Sequence, residues 1–211
     1  MNFQNVLPGD IEKRSFEMIT EELGQRKLPE DLAPIIKRVI HTSADFDYAD
    51  NLVFSEGVLK QALDALKHGA TIITDTNMGK SGINKGALAQ LGCVVDCYIA
   101  NEDVAAMAKA NGTTRATAAV DKACQISGPV IFAVGNAPTA LVRLYENMAA
   151  GLVKPALIIG VPVGFVNVVE SKELIMSTEV PYIVAKGRKG GSNVAAAIVN
   201  ALMYIATERK L

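Results

Sequence analysis

Short apolar runs alternate with amphipathic helical patterns along most of this chain, and this alternation restricts the folds open to it. The runs cover residues 70–75, 94–100, 130–135, 156–161 and 182–187. Each is too short for a helix and is bounded by Gly, Pro or Asn. Strands that alternate with crossover helices form a mostly parallel sheet covered on both faces. The pattern therefore predicts a three-layer α/β fold, with helices on both faces of a mostly parallel sheet.

Two helical patterns precede the first of these runs. Residues 9–24 place apolar side chains at helical spacing and stop at Gly24. The second pattern opens with Pro29 near its first turn and ends at His41. We therefore expect two N-terminal helices ahead of the sheet. The length of 211 residues fits one α/β domain over residues 1–211 better than two small ones.

Charge and hydropathy argue against two classes of partner. Lys and Arg number 21 against 22 Asp and Glu, so the chain has no net field that would attract nucleic acid or an anionic membrane. No apolar run approaches the roughly 20 residues that a membrane span needs. Residues 1–5 lack the charged and apolar blocks of a signal peptide. We expect no nucleic-acid partner and no membrane partner.

The cysteines are expected to be unpaired. Cys93 and Cys97 stand four residues apart in a strand-like run, which would place their Cα atoms roughly 13 Å apart. That distance excludes a disulfide between them. With Cys124, they are interpreted as reduced thiols in or near the core, which indicates a cytoplasmic location. No His, Cys and carboxylate cluster has the spacing of metal ligands, so we expect neither a metal nor a tightly held cofactor.

The loops that follow the predicted strands are rich in Gly and small polar residues, and ligands bind at this edge of parallel sheets. Gly79-Lys80-Ser81 resembles the end of a phosphate-binding loop, but Thr74 stands where the full motif needs Gly. Three interpretations stay open: a flexible turn, a substrate carboxylate held by backbone N–H groups and Lys80, and a nucleotide site. Residues 187–193 are either a second anion loop or a loop whose backbone needs positive φ.

The chain contains two histidines, the residue type most often used as a general acid or base. His68 stands at a predicted helix end, which favours a capping or surface role. His41 follows Arg38 by three residues, on nearly the same helical face, and precedes an acidic segment that begins at Asp45. A helix C-terminus and nearby carboxylates favour imidazolium, so His41 could donate a proton near neutral pH. A capping His41 bonded to Asp45 is the alternative.

Five blocks of sequence, spread from about residue 8 to residue 207, resemble the precorrin-8X methylmutase family, including its cobalt-precorrin-8 counterpart, in the family's order. The blocks are Arg14-Ser15-Phe16, Arg38-Val39-Ile40-His41-Thr42-Ser43-Ala44-Asp45-Phe46-Asp47, Asp75-Thr76-Asn77-Met78, Gly135-Asn136-Ala137-Pro138-Thr139-Ala140-Leu141 and Gly187-Arg188-Lys189-Gly190-Gly191-Ser192.

The resemblance implies a homodimeric isomerase of cobalamin biosynthesis that works on a corrinoid tetrapyrrole without a cofactor. Such an enzyme moves a methyl group from C-11 to C-12 of the macrocycle and yields hydrogenobyrinate or cobyrinate. The family's catalytic histidine falls on His41, as proton donor and acceptor, and its substrate-contacting Ser and Arg fall on Ser15 and Arg38. The blocks and Gly-rich loops add predicted substrate contacts at Thr42, Asp45, Asn77, Lys80, Arg115, Asn136, Thr139 and Arg188.

Two other functions fit parts of the sequence. Many anion-binding loops beside so little catalytic machinery would suit a carrier that sequesters a tetrapyrrole without converting it. A phosphate-transferring enzyme built on Gly79-Lys80-Ser81 would show thermal stabilisation by a nucleotide.

Overall fold

Six strands form one sheet in the computed structural model, which describes residues 5–209. The strands are β1 (Leu52–Phe54), β2 (Thr71–Thr74), β3 (Val94–Asp96), β4 (Val130–Val134), β5 (Leu157–Gly160) and β6 (Tyr182–Ala185). The first helices are α1 (Ile11–Leu23), α2 (Ala33–Ser43), α3 (Tyr48–Asn51), α4 (Val58–Lys67), α5 (Asn77–Gly82) and α6 (Lys85–Leu91). The others are α7 (Glu102–Ala110), α8 (Arg115–Ala123), α9 (Pro138–Ala149), α10 (Val168–Met176) and α11 (Ser192–Ala206). Most of the segment behind the signal-peptide expectation, residues 1–4, lies outside the described residues.

The sheet has the order β1-β6-β5-β4-β2-β3, and all neighbours are parallel except β1, which pairs antiparallel with β6. The predicted mostly parallel sheet is confirmed, and each of the five predicted runs contains a strand. The edge strand β1 was missed because three residues are too few to show a period of two. β3 ends at Asp96, well short of residue 100, where the Asp96 carboxylate accepts the N–H of Cys97 at 2.8 Å.

Side chains of successive strand residues point to opposite faces, so both faces of the sheet are apolar and covered. Ile72, Ile131 and Ile159 pack with helices α4, α6 and α11 on one face. Ile73 and Phe132 pack with α8, α9 and α10 on the other. This arrangement confirms the three-layer prediction. Within residues 5–209, no helix combines the length and the hydrophobicity that crossing a membrane requires.

The two N-terminal helices form an additional layer outside α11. α2 packs along α11, and α1 packs on α2. The predicted bounds of α2 were wrong at both ends. The carbonyl of Pro29 accepts the N–H groups of Leu32 and Ala33 in a separate turn, so the helix begins at Ala33. It ends at Ser43, where Ala44 adopts a left-handed conformation with φ of 53°, and His41 therefore lies in the last turn of the helix rather than at its end.

The three cysteines are unpaired, as predicted. Cys93 and Cys97 flank β3 and are buried, and Cys124 is partly buried. Burial raises the pKa of each thiol above its usual value. Because the thiolate is the reactive form of cysteine, burial disfavours reaction at these thiols.

The five parallel strands have the doubly wound order β3-β2-β4-β5-β6. The chain first crosses outward from β2 to β3, and then returns to β4 on the other side of β2 before continuing to β5 and β6. The order reverses between β2 and β4, and a crevice opens at the carboxyl ends of strands at such a switch point. The residues that follow β2 and β4 therefore lie at the position where doubly wound folds bind ligands.

Two glycines at this edge are required by close backbone contacts. A Cβ atom added at Gly135 would lie 2.7 Å from the carbonyl oxygen of Gly191 and from Cα of Ser192. One added at Gly190 would lie 2.0 Å from the carbonyl oxygen of Val161. Gly187 and Gly191 instead have positive φ, 77° and 139°, which confirms the expectation of positive φ in this loop.

Replacing Gly135 by Ala is expected to lower the free energy of unfolding by about 1–3 kcal/mol, because backbone atoms on the neighbouring loop must move away. Urea unfolding followed by circular dichroism measures the change. Gly9→Ala is the matched control, since no atom lies within 4 Å of its added Cβ, and it should change stability by less than about 0.5 kcal/mol. Equal stabilities of the two variants would contradict the close approach.

Candidate active site

His41 and Ser15 meet at the surface where α1 packs on α2. His41 Nδ1 lies 2.8 Å from Ser15 Oγ, and the imidazole stacks on Phe16 with ring centroids 5.4 Å apart. His41 is exposed, and among residues 5–209 its Nε2 has no hydrogen-bond partner. The hydroxyl and the phenyl ring therefore orient the imidazole while one ring nitrogen is left for a ligand.

The alternative of a capping His41 bonded to Asp45 is wrong. Asp45 instead accepts a hydrogen bond from Lys189 at 2.6 Å, and Lys189 also bonds Asp47 at 2.6 Å. The hydrogen bond from Lys189 holds the pKa of Asp45 below its usual value. Lys189 thus ties the segment just after His41 to the loop that follows β6.

Arg38 contacts the Phe16 ring that stacks on His41, and it is only 9% exposed. Its guanidinium pairs with Glu12 and lies between the rings of Phe16, at 4.8 Å, and Tyr204, at 5.0 Å. Burial alone would raise the pKa of Glu12, but the hydrogen bond and charge of Arg38, with other nearby cations, hold it below its usual value. Ser15 and Arg38 both lie near His41, and the Arg38 guanidinium is already paired with Glu12.

At the switch point, the Asp75 side chain joins the ends of β2 and β4. Its carboxylate accepts N–H groups from Gly135 at 2.9 Å, Asn136 at 2.8 Å and Ala137 at 2.7 Å. Asp75 is 9% exposed, and burial raises the pKa of this carboxyl despite the three hydrogen bonds. The contact leaves the side chains of Asn136 and Asn77 exposed on either side of the switch point.

The phosphate-loop interpretation is not supported by the geometry. Gly79-Lys80-Ser81 lies within the short helix α5, and the Gly79 N–H donates to the Thr76 hydroxyl that caps this helix. Lys80 pairs with Asp96 at 2.7 Å. Burial alone would raise the pKa of Asp96, but Lys80 lowers it. The predicted anion contact of Lys80 would have to break this ion pair.

An exposed apolar loop lies beside a cation at the same edge. Val163, Phe165 and Val166, between β5 and α10, are 48%, 78% and 79% exposed. The guanidinium of Arg188, in the loop after β6, lies over the Phe165 ring at 5.3 Å from its centroid. A planar ligand with an anionic rim would find both an apolar face and a cation here.

The other predicted residues also lie at element ends. Thr42 follows His41 and is exposed. Thr139 is the second residue of α9, and its hydroxyl lies 3.1 Å from that of Thr114, the residue before Arg115. Both threonines line a cavity of about 730 Å³. Arg115 itself is exposed at the start of α8.

Sequence reasoning missed several side chains that organise this edge. Phe16, Asp75 and Lys189 lie inside the blocks that resemble the family. The sequence did not indicate which residues they contact, because those partners are distant along the chain. Phe165 could have been found, since an aromatic residue within a Gly- and Pro-containing loop has no core to enter. Lys172, buried in α10, had no signal in the sequence.

No group of three or more His, Cys, Asp and Glu side chains between residues 5 and 209 is arranged to hold a metal ion. The site thus combines the exposed imidazole of His41, a group able to donate or accept a proton, with cations and hydrogen-bond donors spread around the carboxyl edge of the sheet.

Known proteins resemble this chain over nearly its whole length. A family model described as precorrin-8X methylmutase matches residues 10–205. Cobalt-precorrin-8 methylmutase of Salmonella typhimurium is 48% identical over 203 residues, covering 93% of this chain and 95% of that protein. Precorrin-8X methylmutase of Pseudomonas aeruginosa is 41% identical, covering 95% of both chains. A crystal structure of the precorrin-8X methyl mutase from Thermus thermophilus has a TM-score of 0.87 and 38% identity, covering 96% of this chain and 100% of that one.

Proposed function

Because the chain belongs to the precorrin-8X methylmutase family, we propose that His41 is the proton donor and acceptor of its reaction. The family makes the chain an isomerase of cobalamin biosynthesis rather than a carrier. The observation that carries the role of His41 is the 2.8 Å contact with Ser15, together with the stacking on Phe16. A general acid must be held in one orientation, and here two neighbours on α1 hold it.

The proposed reaction moves a methyl group from C-11 to C-12 of precorrin-8X or cobalt-precorrin-8. His41 donates a proton to the macrocycle, which draws electron density from the framework across which the methyl group migrates. After migration the ring returns the proton to His41, so the net reaction is an isomerisation. It needs no external nucleophile and no electron carrier.

The substrate carries acetate and propionate carboxylates around its rim, and such a rim calls for dispersed donors rather than one basic patch. Arg188 and Arg115, both exposed, are the proposed cationic contacts. Asn77, Asn136, Thr42 and Thr139 are the proposed neutral contacts. The proposal also includes substrate contacts from three residues near His41, namely Ser15, Arg38 and Asp45. Lys80 would contact the substrate by exchanging its ion pair with Asp96 for one with a substrate carboxylate.

We also infer that the chain works as a homodimer and as one domain. The single sheet with apolar clusters on both faces supports one folding unit. Exposed Met78, Phe165 and Val166 supply apolar surface of the kind that oligomers bury. Three unpaired thiols support a reducing compartment such as the cytoplasm.

Incubating the purified protein with precorrin-8X and, separately, with cobalt-precorrin-8 tests the proposed substrate. A rearranged ring has a different conjugated system, so we expect the absorption spectrum to change to that of hydrogenobyrinate or cobyrinate. Comparing initial rates on the two rings identifies the preferred form. An unchanged spectrum with both rings, while either ring binds, would instead indicate the carrier.

A further inference from the structure

Lys172 in α10 is a fully buried cation, at 0% exposure. Its ammonium donates to the carbonyl oxygens of Gly187 and Lys189, each at 2.8 Å, and it has no carboxylate partner among the described residues. Burial lowers the pKa of this amine to about 8. Removing a lysine from water without a counter-ion is unfavourable, so a role beyond packing is expected for it.

The two carbonyls belong to a loop whose backbone is held at three successive residues. The carbonyl of Arg188, which lies between them, accepts the N–H of Gly164 at 3.1 Å. All three carbonyl oxygens thus accept hydrogen bonds, two from the Lys172 side chain in α10 and one from Gly164 in the loop before α10. Positive φ at Gly187 lets the chain enter this arrangement after β6.

The same loop carries two cationic side chains at the proposed substrate cleft, by which we mean the surface that carries His41, Phe165 and Arg188. Arg188 lies over Phe165, and Lys189 bonds both Asp45 and Asp47 in the segment that follows His41. Movement of this backbone would therefore displace Arg188, a proposed contact with a substrate carboxylate. It would also break the ion pairs of Lys189 with Asp45 and Asp47.

We infer that Lys172 is a positioning residue for the proposed reaction, which fixes the loop of residues 187–189 so that Arg188 and Lys189 stand at the cleft. The inference rests on the proposed function. Lys172 does not itself touch substrate, because it is fully buried beneath the loop with both described hydrogen bonds made to backbone.

Lys172→Met tests the inference, because methionine keeps the unbranched length and removes the donors. We expect KM for the preferred ring to rise at least about tenfold while kcat changes less than about threefold, since ring binding is weakened but Ser15 and Phe16 still orient His41. Amide hydrogen exchange should become faster at residues 186–191. Lys60→Met, which removes an exposed lysine of α4 paired with Asp64, is the control and should change neither quantity.

Unchanged KM together with unchanged exchange in Lys172→Met would overturn the inference. So would a fall in apparent kcat that follows only the unfolded fraction while KM stays unchanged. If Lys172→Met does not fold, Lys189→Met and Arg188→Met test the loop instead. Each must raise KM if the loop acts at the cleft, and an unchanged KM in both would overturn the inference. Exchange does not depend on turnover, so a failure of the His41 proposal would leave the exchange result intact.

A double variant adds a further check. The variant that combines Lys172→Met with Lys189→Met should raise KM by less than the product of the two single effects, because both substitutions release the same loop. Independent, multiplying effects would show that Lys172 does not act through Lys189.

Discussion

Replacing His41 by Ala is expected to lower kcat by about 10²–10⁴-fold, the usual contribution of a general acid, while ring affinity changes only a few-fold. The imidazole is exposed and its removal leaves no cavity in the core, so the fold should persist. Single-turnover absorbance changes report the rate, and a spectroscopic titration with substrate reports binding. This pair of measurements separates proton transfer from ring binding.

The chain carries its own control for this variant. His68 is also exposed, and as predicted it caps a helix, with Nδ1 2.6 Å from the carbonyl oxygen of Asp64 at the end of α4. His68→Ala should retain full turnover. Ser15→Ala should fall between the two, at about tenfold, because it removes orientation but leaves the acid. Near-normal turnover in His41→Ala would refute the role of His41.

Replacing Asp75 by Asn is expected to destabilise the fold by about 3 kcal/mol, although the two side chains have the same shape. Both carboxylate oxygens accept backbone N–H groups, Oδ1 from Gly135 and Oδ2 from Asn136 and Ala137. An amide places an NH₂ group against at least one of these donors, so a buried N–H is left without an acceptor. For a chain of this length the loss corresponds to a Tm lower by about 6–12 °C.

Thermal unfolding by circular dichroism measures this loss, with Asp64→Asn as the control. Asp64 is exposed and pairs with Lys60 on the surface of α4, so that variant should shift Tm by no more than about 2 °C. Because Asp75 holds the backbone of Asn136, turnover of folded Asp75→Asn should also fall. A Tm equal to that of Asp64→Asn would show that the three hydrogen bonds contribute little.

Much of the architecture was predictable because its signals are local. The five apolar runs, the helical patterns and the Gly-rich strand ends each arise from a short stretch of sequence, and together they predicted the parallel sheet and the Gly-rich loops at its carboxyl edge. Errors occurred where the local signal was short or ambiguous, as at β1 and at the turn around Pro29.

The candidate site was predictable to a different degree. His41 could be chosen from the sequence because histidines are few and its sequence block resembles a known family. The helix-capping alternative through Asp45 could be rejected only when Lys189, 144 residues away from Asp45, was found to bind that carboxylate. Arg38 shows the same limit, since its pairing with Glu12 and its place between two rings depend on α1 and α11.

By itself, then, the sequence determined the fold class, the positions of five of the six strands and the family, because periodicity and motif order are properties of neighbouring residues. Only the tertiary structure decided the switch point between β2 and β4, the three N–H groups on Asp75 and the buried ammonium of Lys172 beneath residues 187–189. The physical reason is that these features join backbone and side chains far apart in the chain. Their partners and their burial exist only after the strands have assembled.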